Sequence, residues 1–482
     1  MAERITSKKL AKNVIISIIA QIISVLVSFL AGFIVPKFID ELQYSYWRTF
    51  SLYYSYVSLL QLGLLSGILL RYSQYDYEEL DRARIRSQFQ LLFFFTTFVA
   101  LIICVVSALT LNTASRNVVI LVAIGIITNN SFTYTTLTFQ ITNRINKYAF
   151  VVIVRRVVYA IILGVLLVCR VNNFIWYCIA ELIGESFSIA LGIIINKELY
   201  LGKGIGVREC LVEAKTNISF GISLLIANFA SNYIIGGAQM VVQWSADSLV
   251  FGQVSFAFSI SNIFMTFVTA ISTVIFPSLK RTAPDKLPDI YEKIRCYVSL
   301  ILFFVIILYF PGCWILEKWL PNYSSSLVYL GIVLPFIIFT TKVNLLTNNY
   351  LKAFRKERVI LVINVGSVAI AFALYLLGAY VLNSLEFVLY AVVLMAMIQS
   401  VISEIVVMKI IKKKFVLDFV IELIMTLAFM LSVEFLSRWW ACLVYGCALI
   451  VYAIIYRKSI GVFFHTVANL LKRKKSMNDR VL

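Results

Sequence analysis

Long apolar blocks alternate with short polar stretches along almost the whole chain. Fourteen of the blocks reach the roughly 20 residues that a helix needs to cross a hydrocarbon core. They run over 13–36, 46–70, 89–111, 118–140, 148–169, 174–196, 217–243, 248–277, 297–316, 325–350, 359–381, 387–408, 416–436 and 439–456. No long polar insertion separates any two of them. The pattern predicts an all-α polytopic membrane protein with about 14 transmembrane helices.

Charge placement orients this pattern. The chain has 43 Lys and Arg, and most of them fall in alternate loops and at the two ends. The intervening loops hold only Lys37, Arg116, Arg170, Lys318 and Arg438. Basic loops stay on the cytoplasmic side, so both termini are expected to be cytoplasmic and the span count even. A missed or extra span would invert every later loop and destroy the alternation. A faint repeat accompanies it. Lys12-Asn13 opens the first block and Lys215-Thr216-Asn217 the seventh, while Arg71 closes the second and Lys280-Arg281 the eighth. Six spans repeated in parallel predict two lobes with a substrate path between them. The expected division is an N-terminal lobe at 1–212, a C-terminal lobe at 213–415, and an extra helical pair with a basic cytoplasmic tail at 416–482. Within that tail, the apolar run from Ile460 to Leu471 precedes Lys472-Arg473-Lys474-Lys475. It is expected to lie along the inner leaflet, drawn to anionic lipid by about 1 kcal/mol per basic residue.

Composition supports this class and excludes others. Hydrophobic residues make up 61% and charged residues 14%, against roughly 45–50% and 25% in soluble domains. The net charge of +19 resides in loops between spans, so no nucleic-acid partner is expected. Eight cysteines are scattered without a C-x-x-C pair, and the single histidine, His465, lies in the tail. Buried cysteines of this kind act as small hydrophobes. Neither a disulfide framework, a metal site nor a cofactor is expected. The chain also lacks an HExxH pair, a Walker A loop and a nucleophile elbow, so it does not read as an enzyme.

The informative residues are the polar ones inside spans, where charge is costly and marks function or tight pairing. Four cations lie there: Arg48, Arg155, Arg156 and Lys342. Arg155 and Arg156 share a hairpin with Glu181 and Glu185, which face the same way at i and i+4. The hairpin reads either as a neutralised clamp or as the lining of a wet cavity. Consecutive helical residues point about 100° apart, so the two arginines should divide these roles. One should reach Glu185. Glu181, deeper, is expected to lack a partner, which would suit a proton-coupling carboxylate, as would Glu185 itself. Intramembrane amides recur at Gln21, Gln61, Asn228, Asn232, Gln239, Gln253, Asn262, Asn344 and Asn348. The pairs Asn228/Asn232 and Asn344/Asn348 each share a face. Most such amides serve as interhelical glue. Tyr53, Tyr54 and Tyr56 lie deep enough in the second block to stack on a ligand.

Several short stretches carry a family resemblance. Ser7-Lys8-Lys9-Leu10-Ala11-Lys12-Asn13, Tyr44-Ser45-Tyr46-Trp47, Leu62-Gly63-Leu64-Leu65-Ser66-Gly67, Leu70-Arg71-Tyr72 and Phe276-Pro277-Ser278-Leu279-Lys280-Arg281 resemble polysaccharide flippases, of the O-antigen and capsule type, in the multidrug/oligosaccharidyl-lipid/polysaccharide exporter superfamily. The resemblance extends over essentially the whole chain in layout. It implies alternating access by a V-shaped pair of six-helix lobes in a bacterial cytoplasmic membrane. The implied substrate is an undecaprenyl-diphosphate-linked oligosaccharide repeat unit for surface polysaccharide. A polymerase and a chain-length regulator of the same pathway, together with membrane lipids, are the implied partners. Arginine suits the diphosphate because its planar fork matches phosphate oxygens. On this reading Arg48, Arg155, Arg156, Lys342, Asn228, Asn232, Asn344 and Asn348 are the candidate substrate-binding residues. Two rivals remain. An ion-coupled multidrug exporter should favour carboxylates over arginine in its cavity. A membrane glycan polymerase should show a long outer loop, and here each is about ten residues or fewer.

Overall fold

The computed structural model describes residues 22–457 apart from 74, 76 and 281–283, and within helices the side chains of 228, 231, 232, 267, 269–271, 273–278 and 280 also lie outside the description. The first nine residues of the predicted opening span, the Ser7–Asn13 stretch and the expected surface-lying tail at 460–471 fall outside the described residues. Every regular element among the described residues is helical.

The chain forms two compact units, Met1–Ile263 and Phe264–Leu482. The first contains α1 (Ile22–Lys37), α2 (Glu41–Tyr54), α3 (Leu64–Tyr72), α4 (Arg82–Thr110), α5 (Thr113–Ile141), α6 (Ile145–Val168), α7 (Phe174–Ile195), α8 (Val207–Ser245) and the opening of α9 (Ser248–Lys280). The second holds the rest of α9, then α10 (Leu287–Ile306), α11 (Tyr309–Trp319), α12 (Ser324–Val333), α13 (Phe336–Thr341), α14 (Asn348–Ala353), α15 (Glu357–Leu376), α16 (Leu385–Ile411), α17 (Val416–Phe435) and α18 (Arg438–Ile455).

Among the described residues, eleven helices are long and apolar enough to cross a membrane, or thirteen if each of two bent pairs counts as one span. These thirteen coincide with the predicted blocks from 46–70 onward. Short polar turns set the ends. Asp81 accepts from the Arg84 amide and Asn112 from the Ser115 amide at 3.0 Å each, so each cap satisfies a backbone donor that the first turn leaves unpaired. α5 is buried over most of its length, while α4 exposes Phe94, Phe98, Leu101 and Leu109. An apolar helix face this open is stable only against lipid tails, which are as apolar as the side chains.

Two of the predicted spans, 46–70 and 325–350, are bent. The second span breaks by 56° between Gln61 and Leu64. Val57–Gln61 tightens into a 3-10 turn, and Leu62 and Gly63 follow with φ of 53° and 88°. Glycine adopts that region without strain. The tenth bends by 52° around Leu334-Pro335, where proline's missing N–H removes a helical hydrogen bond. Beyond the first break, α3 lies backbone to backbone on α8. A Cβ on Gly67 would sit 1.8 Å from the Asn217 carbonyl oxygen, and one on Gly221 would sit 2.0 Å from that of Gly63. The Leu-Gly-Leu-Leu-Ser-Gly stretch therefore encodes a helix break and a close helix contact. That contact holds α8 with the spans before it in the first compact unit, whose division from the second falls within α9.

Candidate functional site

In the first unit, the break in the second span opens a cavity of about 610 Å³. α2 contributes Arg48 and Ser51, with Ser55 at its C-terminal end, and the 3-10 turn contributes Gln61. Thr133 comes from α5, and Phe229, Tyr233, Gly236 and Gln239 come from α8. Among the described lining residues Arg48 is the one charged side chain, and no carboxylate is present.

Three hydroxyls on this wall, those of Ser51, Ser55 and Thr133, are already committed as donors. Ser51 donates to the Trp47 carbonyl at 2.9 Å, Ser55 to Leu52 at 2.6 Å and Thr133 to Asn129 at 2.8 Å. Each oxygen keeps its lone pairs for an incoming donor. Four other buried polar atoms on the same wall have no hydrogen-bond partner: Arg48 Nε, the Tyr56 hydroxyl, Gln61 Oε1 and Gln239 Nε2. Leaving a buried polar group unpaired costs about 1–3 kcal/mol. Tyr56, Phe229 and Tyr233 form an aromatic cluster with ring centroids 4.7–5.7 Å apart. Gly236 gives the Tyr56 ring its room, since a Cβ there would lie 2.0 Å from the phenol oxygen.

The charged hairpin lies behind this wall. Arg155 Nη2 reaches Glu181 Oε1 at 2.6 Å and Glu185 Oε1 at 2.8 Å, and its guanidinium sits 4.5 Å above the Phe132 ring. Thr128 and Asn129 donate to Glu185 at 2.7 and 3.2 Å, and Asn129 also donates to the Tyr54 oxygen at 3.3 Å. Arg156 is the looser of the two arginines, 3.8 Å from Glu181 and 32% exposed at its side chain. Arg155 is thus the arginine that reaches Glu185, as expected of one of the pair, while Arg156 does not take the expected place at the cavity. One expectation is corrected. Glu181 does not lack a partner, because Arg155 spans both carboxylates, which stand on one face a turn apart. None of Arg155, Arg156, Glu181 and Glu185 lines the cavity; they fix α5, α6 and α7, and α5 carries Thr133 at the cavity wall.

In the second unit, Lys342 occupies a closed ion-pair network. Its ammonium lies 2.7 Å from Glu404 and 2.6 Å from Glu422, with the side chain 1% exposed. Arg295 completes the network by pairing with Glu404, with Glu422 at 3.1 Å and with Asp418 at 3.4 Å. Lys342 opens a π-helical stretch, Lys342–Thr347. A π-turn of this kind frequently marks a functional position. Asn348 donates to Asn344 at 3.5 Å, so these two amides do share a face. The side chains of Asn228 and Asn232 lie outside the described residues.

The sequence reading missed the partners of Lys342. Glu404 and Glu422 fall inside predicted spans, and intramembrane carboxylates demand a cation, so the signal was present. Arg295 was hidden because the ninth span begins at Leu287, not 297. Gln61 and Gln239 were visible as amides but read as interhelical glue, whereas each leaves one amide end unpaired at the cavity.

No protein-family model matches the chain, and no curated protein matches it in sequence. Its fold does match solved structures. One is titled as the lipid II flippase MurJ in an inward closed conformation, 13% identical, with a TM-score of 0.67, covering 93% of this chain and all of that one. Another is an inward-facing multidrug resistance MATE family transporter of the MOP superfamily, 12% identical, with a TM-score of 0.61, covering 80% of this chain and 94% of that one. The chain is thus an all-helical polytopic membrane protein with the fold seen in MOP-superfamily transporters.

Proposed function

We propose that the protein is a flippase that moves undecaprenyl-diphosphate-linked oligosaccharide repeat units across a bacterial cytoplasmic membrane by alternating access, for surface polysaccharide synthesis. The observation that supports this reading most is the lining of the cavity in the first unit. It combines one arginine, hydroxyl acceptors, amide ends and an aromatic cluster, with no carboxylate among its described residues. An anionic head group bearing sugars meets a complementary partner at each of these. A lipophilic cation meets a like charge at Arg48 and no counterion, which disfavours the drug-exporter reading. The fold shared with a lipid II flippase is consistent with a lipid-linked glycan but is shared with multidrug transporters too. On this proposal the lobes at 1–212 and 213–415 rock about the substrate path, both termini are cytoplasmic, and the released units pass to a polymerase and chain-length regulator.

Reconstitution tests it. Proteoliposomes containing the protein should move a fluorescent undecaprenyl-diphosphate-linked oligosaccharide between leaflets faster than protein-free vesicles, and should not accumulate a cationic dye under a proton or sodium gradient. Dye accumulation without lipid movement would establish the exporter reading instead.

A further inference from the structure

The broken second span brings Gln61 and Gln239 to the same cavity from two different helices. Gln61 ends the 3-10 turn just before the left-handed residues Leu62 and Gly63, and Gln239 sits in the interior of α8. Both are 8% exposed, and each leaves one amide end, Gln61 Oε1 and Gln239 Nε2, without a partner in the protein. A glutamine kept for helix association would spend both ends across the helix interface. These two instead leave an acceptor and a donor on one wall. The neighbouring hydroxyls of Ser51, Ser55 and Thr133 have donated to backbone carbonyls and offer only acceptors. The aromatic faces of Tyr56 and Phe229 border the same space. Resting on the transport reading above, we infer that Gln61 and Gln239 form a carbohydrate subsite. They read a neutral sugar through its hydroxyl or acetamido groups, separately from the contact Arg48 makes with the phosphates. A sugar hydroxyl both donates and accepts, so it can satisfy Gln61 and Gln239 together, and its surplus donors match the acceptor-only serines. A site built this way rejects a ligand that lacks those groups, because its own buried amides would stay unpaired.

The test uses the full chain in detergent and two probes, undecaprenyl diphosphate and undecaprenyl-diphosphate-linked N-acetylhexosamine, with affinity read from ligand-dependent thermal shifts. Gln61→Met and Gln239→Met keep side-chain volume and remove the amide. Each should weaken binding of the glycosylated lipid about tenfold and leave binding of the bare lipid diphosphate at the wild-type value. Without ligand, both variants should melt close to wild type, because one end of each lost amide had no protein partner; a large drop in both would mark the glutamines as structural and overturn the subsite. Equal loss for both lipids, or no loss for either, would also overturn it while leaving the transport reading standing. If the wild-type protein binds neither probe, the transport reading falls and the subsite falls with it.

Discussion

Two buried clusters of opposite charges, one in each compact unit, are assembled over different distances in the chain. The first is a hairpin product. Arg155, Arg156, Glu181 and Glu185 come from α6 and α7, joined by the turn at 170–173, with Thr128, Asn129, Phe132 and Tyr54 contributed from elsewhere. It is charge-balanced and incompletely closed, with Arg155 and Glu181 13% and 15% exposed. The second draws Arg295 from α10, Lys342 from the π-turn, Glu404 from α16 and Asp418 and Glu422 from α17. Two cations face three carboxylates there, and Asp418 also accepts from the Tyr456 hydroxyl. Because α17 supplies two of the five groups, this network pins the first helix of the C-terminal pair to the rest of its unit. A short-range cluster can stiffen a wall. A long-range cluster decides whether four helices pack at all, and its failure should cost more.

That ordering can be broken by substitution. Lys342→Met should have the largest effect, since it leaves Glu404 and Glu422 to share Arg295 in a closed site. Removing one partner of a buried pair costs about 3–5 kcal/mol, which should appear as a lower yield of folded protein and a lower melting temperature in detergent. Adding Glu422→Gln should recover part of that loss. Arg155→Gln should follow, near the lower end at about 3 kcal/mol, because Thr128 and Asn129 still donate to Glu185; Glu185→Gln on top should restore part of it. Arg156→Ala should be smallest, below about 1 kcal/mol, as expected for a half-exposed and loosely paired charge. A cost for Arg156→Ala equal to that of Arg155→Gln would show that the hairpin does not divide its arginines.

The same contrast explains what the sequence could reveal. Apolar blocks longer than 20 residues report spans directly, and Arg155 and Glu185 fall within one hairpin, so their pairing followed from helical periodicity, while the second contact of Arg155, to Glu181, did not. Lys342 and Glu404 are neighbours only after the chain has folded through α14 and α15, and periodicity holds no information about that. The bends were half legible. Gly63 and Pro335 are visible as breakers, but hydropathy averages over them. The cavity was the least legible feature, since Arg48, Gln61 and Gln239 converge on it only because the second span breaks and α3 meets α8 through Gly67 and Gly221.

On the proposed function, the cavity in the first unit, not the charged hairpin behind it, contacts the transported head group. The most direct measurement compares translocation of a lipid-linked oligosaccharide in proteoliposomes loaded with equal amounts of folded Arg48→Gln, Arg155→Gln and wild-type protein. The account predicts that Arg48→Gln loses most of the translocation rate while keeping its fold, with Arg48→Lys recovering only part because a point charge lacks the bidentate fork. Arg155→Gln, once normalised for folded protein, should run near wild type. Wild-type translocation by Arg48→Gln, or its abolition by Arg155→Gln at equal folded protein, would contradict the account.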